Sequence, residues 1–269
     1  KKEETLRLLK IGVKSLEEHF FSVSRYPICI LHASILSDGD LESIAAHTKS
    51  QVFAYTVNFK NELMNDGSAQ QSGPQDKTTA SFSLYNLYTH PVFGDFDYLL
   101  RLNADIGLNT PIPCDPFQLM KLQTYSFGYY EKANAKQNRN CMPRLHESLN
   151  NEFLREKNTQ LQFGADPEFV YLNQFNLIKT SFVRDTRLLA LWKWIDAKHF
   201  RCDLQNIEQS VMPYALSLGS SHDMIHQFSG YGLWHSAQSN ELWPNRSDLP
   251  TGCPKKPDEW STEPVPNKG

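Results

Sequence analysis

The feature that most constrains the fold is a strand–helix–strand pattern near the start of the chain. The run "YPICILH" (26–32) is short, apolar and rich in β-formers, which indicates a buried strand. The next segment, "SDGDLESIAAHTK" (37–49), opens with Ser and Asp residues that favour a helix start, and "QVFAYTVNF" (51–59) alternates as a second strand. This order predicts parallel strands joined by a crossover helix.

The rest of the chain continues as alternating helices and strands. Helices are predicted at 3–21, 81–90, 142–158, 185–200 (capped by Asp185) and 206–219 (containing Pro213), strands at 96–106 and 124–131, a strand and turn at 169–183, and loops at 60–80 and 134–140. We therefore expect an α/β fold with a mixed, mostly parallel sheet flanked by helices. Residues 1–246 are expected to form a single domain, and 247–269 a Pro- and Lys-rich C-terminal tail.

Composition excludes several classes of function. The net charge of −3 provides no basic field for nucleic acid or acidic membranes, so no nucleic-acid partner is expected. No run approaches the length of a transmembrane helix, and no GxSxG, P-loop or GxGxxG motif occurs. The chain does not begin with Met or a signal peptide, so we expect a processed chain, with any membrane contact made through a segment absent from it.

Cysteine usage leaves the redox compartment open. The five cysteines form no CxxC pair, which disfavours a zinc site of the usual spacing. They could be five reduced thiols, or two disulfides and one free thiol. Asn245-Arg246-Ser247 is a glycosylation sequon that would matter only in the secretory pathway.

The stretch "LLRLNADIGL" (99–108) is the first candidate site, because a predicted strand ends there in Asp105. Ligands of open α/β sheets bind beyond the carboxyl ends of the strands. A carboxylate at such an end can hold Mn²⁺ or Mg²⁺, and the metal can neutralise a diphosphate. The competing interpretation is that Asp105 only caps the following turn.

Histidines and further acids supply the other candidates. The histidines are His222, His226 and His235, and the acids are Asp166, Glu168 and Glu208. Imidazoles suit transition metals and paired carboxylates suit acid–base chemistry. For each residue the alternative is an ordinary packing or surface role.

Six segments in the same order resemble the fungal-type α-1,2-mannosyltransferases of glycosyltransferase family 15, over roughly residues 4–236. The segment "YTHPVFGDFDYLLRLNADI" is similar to the family's "HP…YDYYWR-x-E-P-D-V". The other matching segments are "TLRLLKIGVKSLEEHFFSVSRYPICIL", "CDPF" (114–117), "YSF" (125–127), "NQFNLIKTSFVR" and "IHQFSGYGLWH". Within "YTHPVFGDFDYLLRLNADI", the matching positions are His90, Pro91, Asp97, Tyr98, Arg101 and Asp105.

The resemblance implies a GT-A-type catalytic domain that transfers mannose from GDP-mannose to a glycan or glycoprotein, retaining the anomeric configuration. It implies Mn²⁺, or Mg²⁺ in its place, held by Asp105 and His235, with Asn103 supporting that cofactor shell. It gives Glu208 the role of orienting or deprotonating the acceptor hydroxyl. It puts Asn176 at a second catalytic position, that of the family's proposed nucleophile. Members are type II membrane proteins, so the resemblance implies the Golgi lumen or secretory pathway, with the anchor removed.

Two departures from the family keep other functions open. Asn103 replaces a Glu that contributes to the metal site, and the lost charge should lower metal affinity. Asn176 replaces a Glu proposed as nucleophile, and an amide cannot act as that nucleophile. The alternatives are a different nucleotide-sugar donor, an internal-return route in which the leaving diphosphate assists, a non-catalytic glycan- or partner-binding protein, and a cytosolic α/β enzyme of another class.

Overall fold

The fold is described from a computed structural model of the chain. The described residues are 2–21, 24–32, 36–57, 87, 90–134, 142–165, 169–172, 175–198, 207–228 and 232–235. For eleven of these residues only the backbone is described and nothing is said of the side chain: Asn134, 142–144, 196–198, Ile207, Glu208, Trp234 and His235. The predicted loop 60–80, most of the predicted helix 81–90 and the predicted tail 247–269 lie outside the described residues, so the proposed domain boundary stays a prediction.

The described residues include eight α-helices, which lie on both sides of the central sheet. They are α1 (Lys2–His19), α2 (Asp38–Ala45), α3 (Pro116–Leu122), α4 (Met142–Ser148), α5 (Leu154–Glu156), α6 (Thr180–Val183), α7 (Thr186–Lys198) and α8 (Ile207–Gly219). A π-helical turn at Leu149–Phe153 joins α4 to α5, and 3₁₀ turns lie at Pro91–Phe93 and His222–Met224. Ser37 and Asp40 form a capping box at α2. Asp185 accepts a 2.8 Å hydrogen bond from the Arg187 N–H at the start of α7, as expected for its predicted capping role.

Within the described residues, the strands form one sheet of four strands and three two-stranded ribbons. They are β1 (Ile28–His32), β2 (Val52–Thr56), β3 (Tyr98–Leu102), β4 (Ile106–Leu108), β5 (Phe127–Tyr129), β6 (Lys132–Asn134), β7 (Phe169–Tyr171), β8 (Phe175–Lys179), β9 (Ile225–Gln227) and β10 (Leu233–His235). The sheet order is β3-β8-β5-β9, and the ribbons pair β1 with β2, β4 with β10 and β6 with β7.

Strand directions confirm a mixed α/β fold but correct one expectation. Among the described strands, β1–β2 and β5–β9 pair in parallel, whereas β3–β8, β5–β8, β4–β10 and β6–β7 pair antiparallel. Parallel pairs are therefore the minority there. The physical reason is that β8 runs against both of its neighbours. Strands β3, β5 and β9 still share one direction, so their carboxyl ends meet at one edge of the sheet, which we call the carboxyl edge.

Apolar side chains cover both faces of the central sheet. On one face, Leu99, Phe127 and Ile178 join a cluster built with the helices α4, α7 and α8. On the other face, Leu100 and Leu177 join a cluster that includes residues of β4, α3 and the end of α1. A third, smaller cluster packs α1 and α2 against β1. Burial on both sides explains why β8 reads as a nearly continuous apolar run.

The covalent state of two cysteines is described. Cys114 is in a disulfide and Cys29 is a free thiol, so the expectation of five reduced thiols is wrong. Burial raises the pKa of the Cys29 thiol to about 11, which leaves it protonated at neutral pH. No helix within the described ranges is long and apolar enough to cross a membrane.

Candidate functional site

A tight turn forms the centre of the candidate site. It follows β3, and the Ile106 N–H closes it by donating a 3.1 Å hydrogen bond to the Asn103 carbonyl oxygen. Both Asn103 and Asp105 are partly exposed at this turn. The predicted single strand 96–106 is therefore two strands, β3 and β4, with the candidate residues at the corner between them. Because β3 ends here, the turn lies at the carboxyl edge of the sheet.

Helix α1 fixes the backbone on one side of this turn. The Ser15 hydroxyl donates to the Gly12 carbonyl at 2.7 Å and accepts from the Leu108 N–H of β4 at 3.0 Å. A Cβ atom at Gly12 would lie 3.1 Å from the Ile106 carbonyl oxygen, so a glycine allows this close approach. The turn is thus held by a helix that is distant in sequence, since Gly12 and Ile106 are 94 positions apart (106 − 12).

Strand β10 fixes the other side of β4. Its antiparallel register pairs Leu233 with Leu108 and His235 with Ile106. The register therefore places His235 opposite the residue that directly follows Asp105. The register thus brings the backbones of two candidates that are 130 positions apart (235 − 105) close to each other.

A glycine anchors the entry to β10. The Gly232 N–H donates to the Thr110 hydroxyl at 3.1 Å, and the Asn109 N–H donates to the Gly232 carbonyl at 2.8 Å. A Cβ atom at Gly232 would lie 1.9 Å from the Asn109 side-chain oxygen. No other residue fits here unless Asn109 moves, so Gly232 helps to set the register that carries His235.

Asn176 also lies at the carboxyl edge, as the second residue of β8. Its side chain is only 1% exposed. With the amide oriented to satisfy its neighbours, the nitrogen donates to the carbonyl oxygens of Phe175 at 2.8 Å and Leu172 at 3.0 Å. These bonds hold the amide in a fixed orientation. They give Asn176 a structural role in addition to any contact with a ligand.

Strand register places Asn176 in a row of polar side chains. The row runs across the sheet from Arg101 (β3) through Asn176 (β8) and Tyr129 (β5) to Gln227 (β9). We call these four residues the polar row. Tyr129 and Gln227 were not among the residues predicted from the sequence. Each is a polar or amphipathic residue at the end of a short strand, and this pattern indicates a shared row only once the strand pairing is known.

The remaining candidate acids are placed only in part. Glu208 is the second residue of α8, and its side chain is outside the described residues, as are Asp166 and Glu168 in full. Helix α8 packs against β7 and α7. The backbone therefore does not join Glu208 to the turn at Asp105 in the way that it joins His235.

The other two candidate histidines serve packing. His226 stacks on Tyr125, with ring centroids 4.8 Å apart, and meets Phe228 edge-on at 5.0 Å. Burial lowers the pKa of His226, so the neutral imidazole is favoured. His222 is exposed and contacts the edge of Phe163 at 5.6 Å. The ordinary packing interpretation therefore fits both residues.

Several residues that match the family motifs also serve the fold. Tyr98 donates to the carbonyl oxygens of Met120 and Tyr125, both at 3.3 Å. Asp115 is 2% exposed, caps α3 by accepting from the Phe117 N–H at 2.9 Å, and accepts from the Tyr26 hydroxyl at 2.7 Å. Burial and that carboxylate raise the pKa of Tyr26 well above its usual value. The motif positions thus include structural residues as well as candidate site residues.

The chemistry of the donor set at the turn fits a divalent cation. Asp105 offers a carboxylate, Asn103 an amide oxygen and His235 an imidazole, all of which suit Mn²⁺. Within the residues whose side chains are described, no group of three or more His, Cys, Asp or Glu residues could hold a metal ion. The side chain of His235 is not among those described, so the proposed set of Asp105, Asn103 and His235 is outside that finding.

The fold belongs to the GT-A type, the α/β architecture with mixed sheets that is shared by a class of glycosyltransferases. Core-mannan synthase A (CmsA/Ktr4) from Aspergillus fumigatus, in its Mn/GDP form, is similar with a TM-score of 0.70 and 16% identity over 88% of this chain and 72% of that chain. The mannosyltransferase Ktr4p from S. cerevisiae, in complex with GDP, is similar with a TM-score of 0.73 and 16% identity over 93% of this chain and 74% of that chain.

A more distant structure shares the architecture. Mouse xyloside xylosyltransferase 1, in its apo form, has a TM-score of 0.51 and 13% identity over 84% of this chain and 79% of that chain. No protein-family model and no curated protein matches the sequence. At these identities the similarities define the fold, and the chemistry has to be argued from the residues.

Proposed function

We propose that this protein is a metal-dependent glycosyltransferase that moves mannose from GDP-mannose to a glycan or glycoprotein acceptor with retention of configuration. The observation that supports the proposal is the β4–β10 register, which pairs the backbone of His235 with Ile106, the residue after Asp105, in a GT-A-type fold. The two fungal structures, CmsA/Ktr4 and Ktr4p, were solved with GDP, in the first case with Mn, which supports this donor and metal.

In this proposal Asp105 and His235 hold Mn²⁺, or Mg²⁺ in its place, and the Asn103 amide oxygen supports the same shell. The bound metal supplies charge neutralisation for the diphosphate leaving group. Asp105 and Asn103 are positioned for this by the hydrogen-bonded turn between β3 and β4. The adjacent Gly12 and Ser15 contacts keep that turn from moving away from β10.

The acceptor side of the proposal uses Glu208 and Asn176. Glu208 orients or deprotonates the acceptor hydroxyl, as a carboxylate within hydrogen-bond reach can do. Asn176 contributes an oriented amide rather than a nucleophile, and its two hydrogen bonds to backbone carbonyl oxygens support that role. Transfer would then rely on the leaving diphosphate to assist from the front face of the sugar.

The proposed location is the Golgi lumen or another part of the secretory pathway. The disulfide at Cys114 supports an oxidising compartment, because structural disulfides are rare in the cytosol. A test is to measure glycosylation at Asn245 in material secreted from eukaryotic cells. An unmodified sequon together with free thiols throughout the folded protein would contradict the proposal.

Calorimetric titration with GDP, in the presence and absence of Mn²⁺, tests the donor site directly. We expect GDP binding that requires Mn²⁺ and that is lost in Asp105→Ala. Asp97→Ala is the matched control, because Asp97 is an exposed aspartate at the opposite end of β3. The proposal would be refuted if the wild-type protein, Asp105→Ala and Asp97→Ala all showed the same GDP titration with and without Mn²⁺. Binding of another nucleotide in place of GDP would instead favour the alternative of a different sugar donor.

A second candidate function is a non-catalytic glycan- or partner-binding protein on the same fold. Asn103 and Asn176 favour it, because amides occupy two positions where the similar family carries acids, and Asn176 is already satisfied by backbone partners. Assays for GDP-mannose hydrolysis and for transfer to a simple mannoside separate the two. Transfer supports the enzyme, whereas glycan binding with neither reaction supports the binding protein.

A further inference from the structure

The polar row contrasts with the row of side chains next to it. Two residues further into the same face of the sheet, the register aligns an apolar row made of Leu99, Ile178, Phe127 and Ile225. All four of its members belong to, or pack against, one buried cluster. The sheet therefore does not need polar side chains in order to pack. They begin only at the carboxyl edge, where ligands of such sheets bind.

Two members of the polar row are buried and held in place. Asn176 is 1% and Tyr129 8% exposed. The Asn176 amide is fixed by the carbonyl oxygens of Phe175 and Leu172. The Tyr129 ring is fixed by the edge of Tyr171, whose centroid is 4.7 Å away. Both side chains therefore have fixed orientations before any ligand binds.

Hydrogen bonds extend this order to the exposed end of the row. The Tyr129 hydroxyl donates to the Gln227 side-chain oxygen at 3.5 Å, and the Gln227 nitrogen donates to the Tyr130 carbonyl oxygen at 3.4 Å. Both bonds are long, so a ligand hydroxyl could replace either of them at little cost. The phenol and the amide are thus oriented and remain available for exchange.

The chemical character of the row selects the class of ligand. It offers two amides, one phenol and one guanidinium, and it contains no carboxylate. Amide and phenol groups both donate and accept, as pairing with sugar hydroxyls requires. A single cation is a poor match for a diphosphate, which in this fold would be neutralised at the Asp105 turn.

We propose that the polar row binds the hydroxyl groups of the acceptor saccharide, with Tyr129 and Gln227 determining which saccharide is accepted. This inference rests on the proposed function for the identity of the sugar. It assigns the acceptor to the row across β3, β8, β5 and β9, whereas the donor diphosphate is assigned to the neighbouring turn at Asp105. The two sites share one edge of the sheet but no residue.

Saccharide binding by three variants tests the assignment. Tyr129→Phe removes one hydroxyl, and Gln227→Leu removes the exposed amide. Tyr98→Phe is the matched control, because it makes the same change on the opposite face of the sheet. Binding of methyl α-mannoside and α-1,2-mannobiose is measured by ligand-observed NMR titration, and GDP binding with Mn²⁺ by calorimetry.

We expect Tyr129→Phe and Gln227→Leu to weaken saccharide binding by roughly three- to tenfold each, as for loss of one hydrogen bond. GDP binding by these variants and saccharide binding by Tyr98→Phe should stay at the wild-type level. Unchanged saccharide affinity in both row variants, or no saccharide binding by the wild-type protein, overturns the assignment.

The two proposals can fail separately. If the wild-type protein binds no nucleotide but its saccharide affinity still falls in the row variants, the row is a saccharide site and the transferase proposal is wrong. If GDP binding is lost in the row variants while saccharide binding persists, the row belongs to the donor and the present inference is wrong. Thermal unfolding of each variant checks that the protein remains folded.

Discussion

The two ends of strand β3 carry the same kind of residue but serve different purposes. At the amino end, beside Asp97, the Thr180 hydroxyl donates to the Phe96 and Asp97 carbonyl oxygens at 2.5 and 3.1 Å, and Arg184 donates to the Phe93 carbonyl oxygen at 3.0 Å. At the carboxyl end, Asp105 lies in a partly exposed, hydrogen-bonded turn next to β4, which pairs with the strand that carries His235. An aspartate at a strand end is thus a candidate ligand only when a second strand brings it a partner.

The largest expected effect is on stability, in the half of the sheet away from the carboxyl edge. Phe127 is fully buried in the apolar row. Phe127→Ala should lower the free energy of unfolding by about 3–5 kcal/mol, because it removes a buried ring and leaves a cavity. Urea denaturation measures this loss. A change below about 1 kcal/mol would mean that this row is not part of the stabilising core.

The next largest effect is on metal and nucleotide binding at the carboxyl edge. Asp105→Asn and His235→Asn should each lower Mn²⁺-dependent GDP affinity by roughly tenfold or more, with little effect on stability. If both side chains hold one ion, the double variant should be scarcely worse than either single one. Strictly additive losses in calorimetry would show that the two residues act at separate places.

A smaller effect, in the opposite direction, is expected at Asn103. Asn103→Asp restores a second carboxylate to the turn, so Mn²⁺ affinity should rise by a fewfold, because each added ligand charge strengthens the binding of a divalent cation. Asp97→Asn is the matched control at the other end of the strand. Unchanged or weaker metal binding in Asn103→Asp would place residue 103 outside the metal shell.

The smallest effect concerns pH and the histidine that packs. Burial lowers the pKa of His226 below its usual value of 6.5, so the unfolded chain takes up a proton there before the folded protein does. Stability should therefore fall as the pH drops below about 6.5 and level off below the folded pKa. His226→Phe should reduce this slope in denaturation series from pH 7.5 to 5. Identical slopes for the wild-type protein and His226→Phe would contradict the inference that His226 has a lowered pKa in the folded protein.

Local sequence patterns predicted most of the long elements. The amphipathic run after Glu3, the capping residues at Ser37 and Asp185, and the apolar run of β8 each carry their own short-range signal. Strands β4, β6, β9 and β10 were not predicted, because three residues are too few to show a period. The prediction that most strands pair in parallel was also wrong for the described strands, since the direction of a strand depends on which distant strand it joins.

The candidate site was predictable only in part for the same reason. Asp105 could be found because a polar residue ends an apolar run, and His235 because a family motif points to it. That the backbone of His235 pairs with the residue after Asp105 follows only from the β4–β10 register. The polar row has no signal in any single segment, because its members come from four separate strands.

The bracing of β4 by α1 on one side and by β10 on the other has a consequence for biosynthesis. A nascent chain can build α1, β3 and the Asn103–Ile106 turn early, but β10 is not available until residue 235 has left the ribosome. Pairing across so long a separation is slow relative to local structure. The residues proposed to hold the donor therefore come together near the end of synthesis, and a prematurely terminated chain would keep most of its core without acquiring the site.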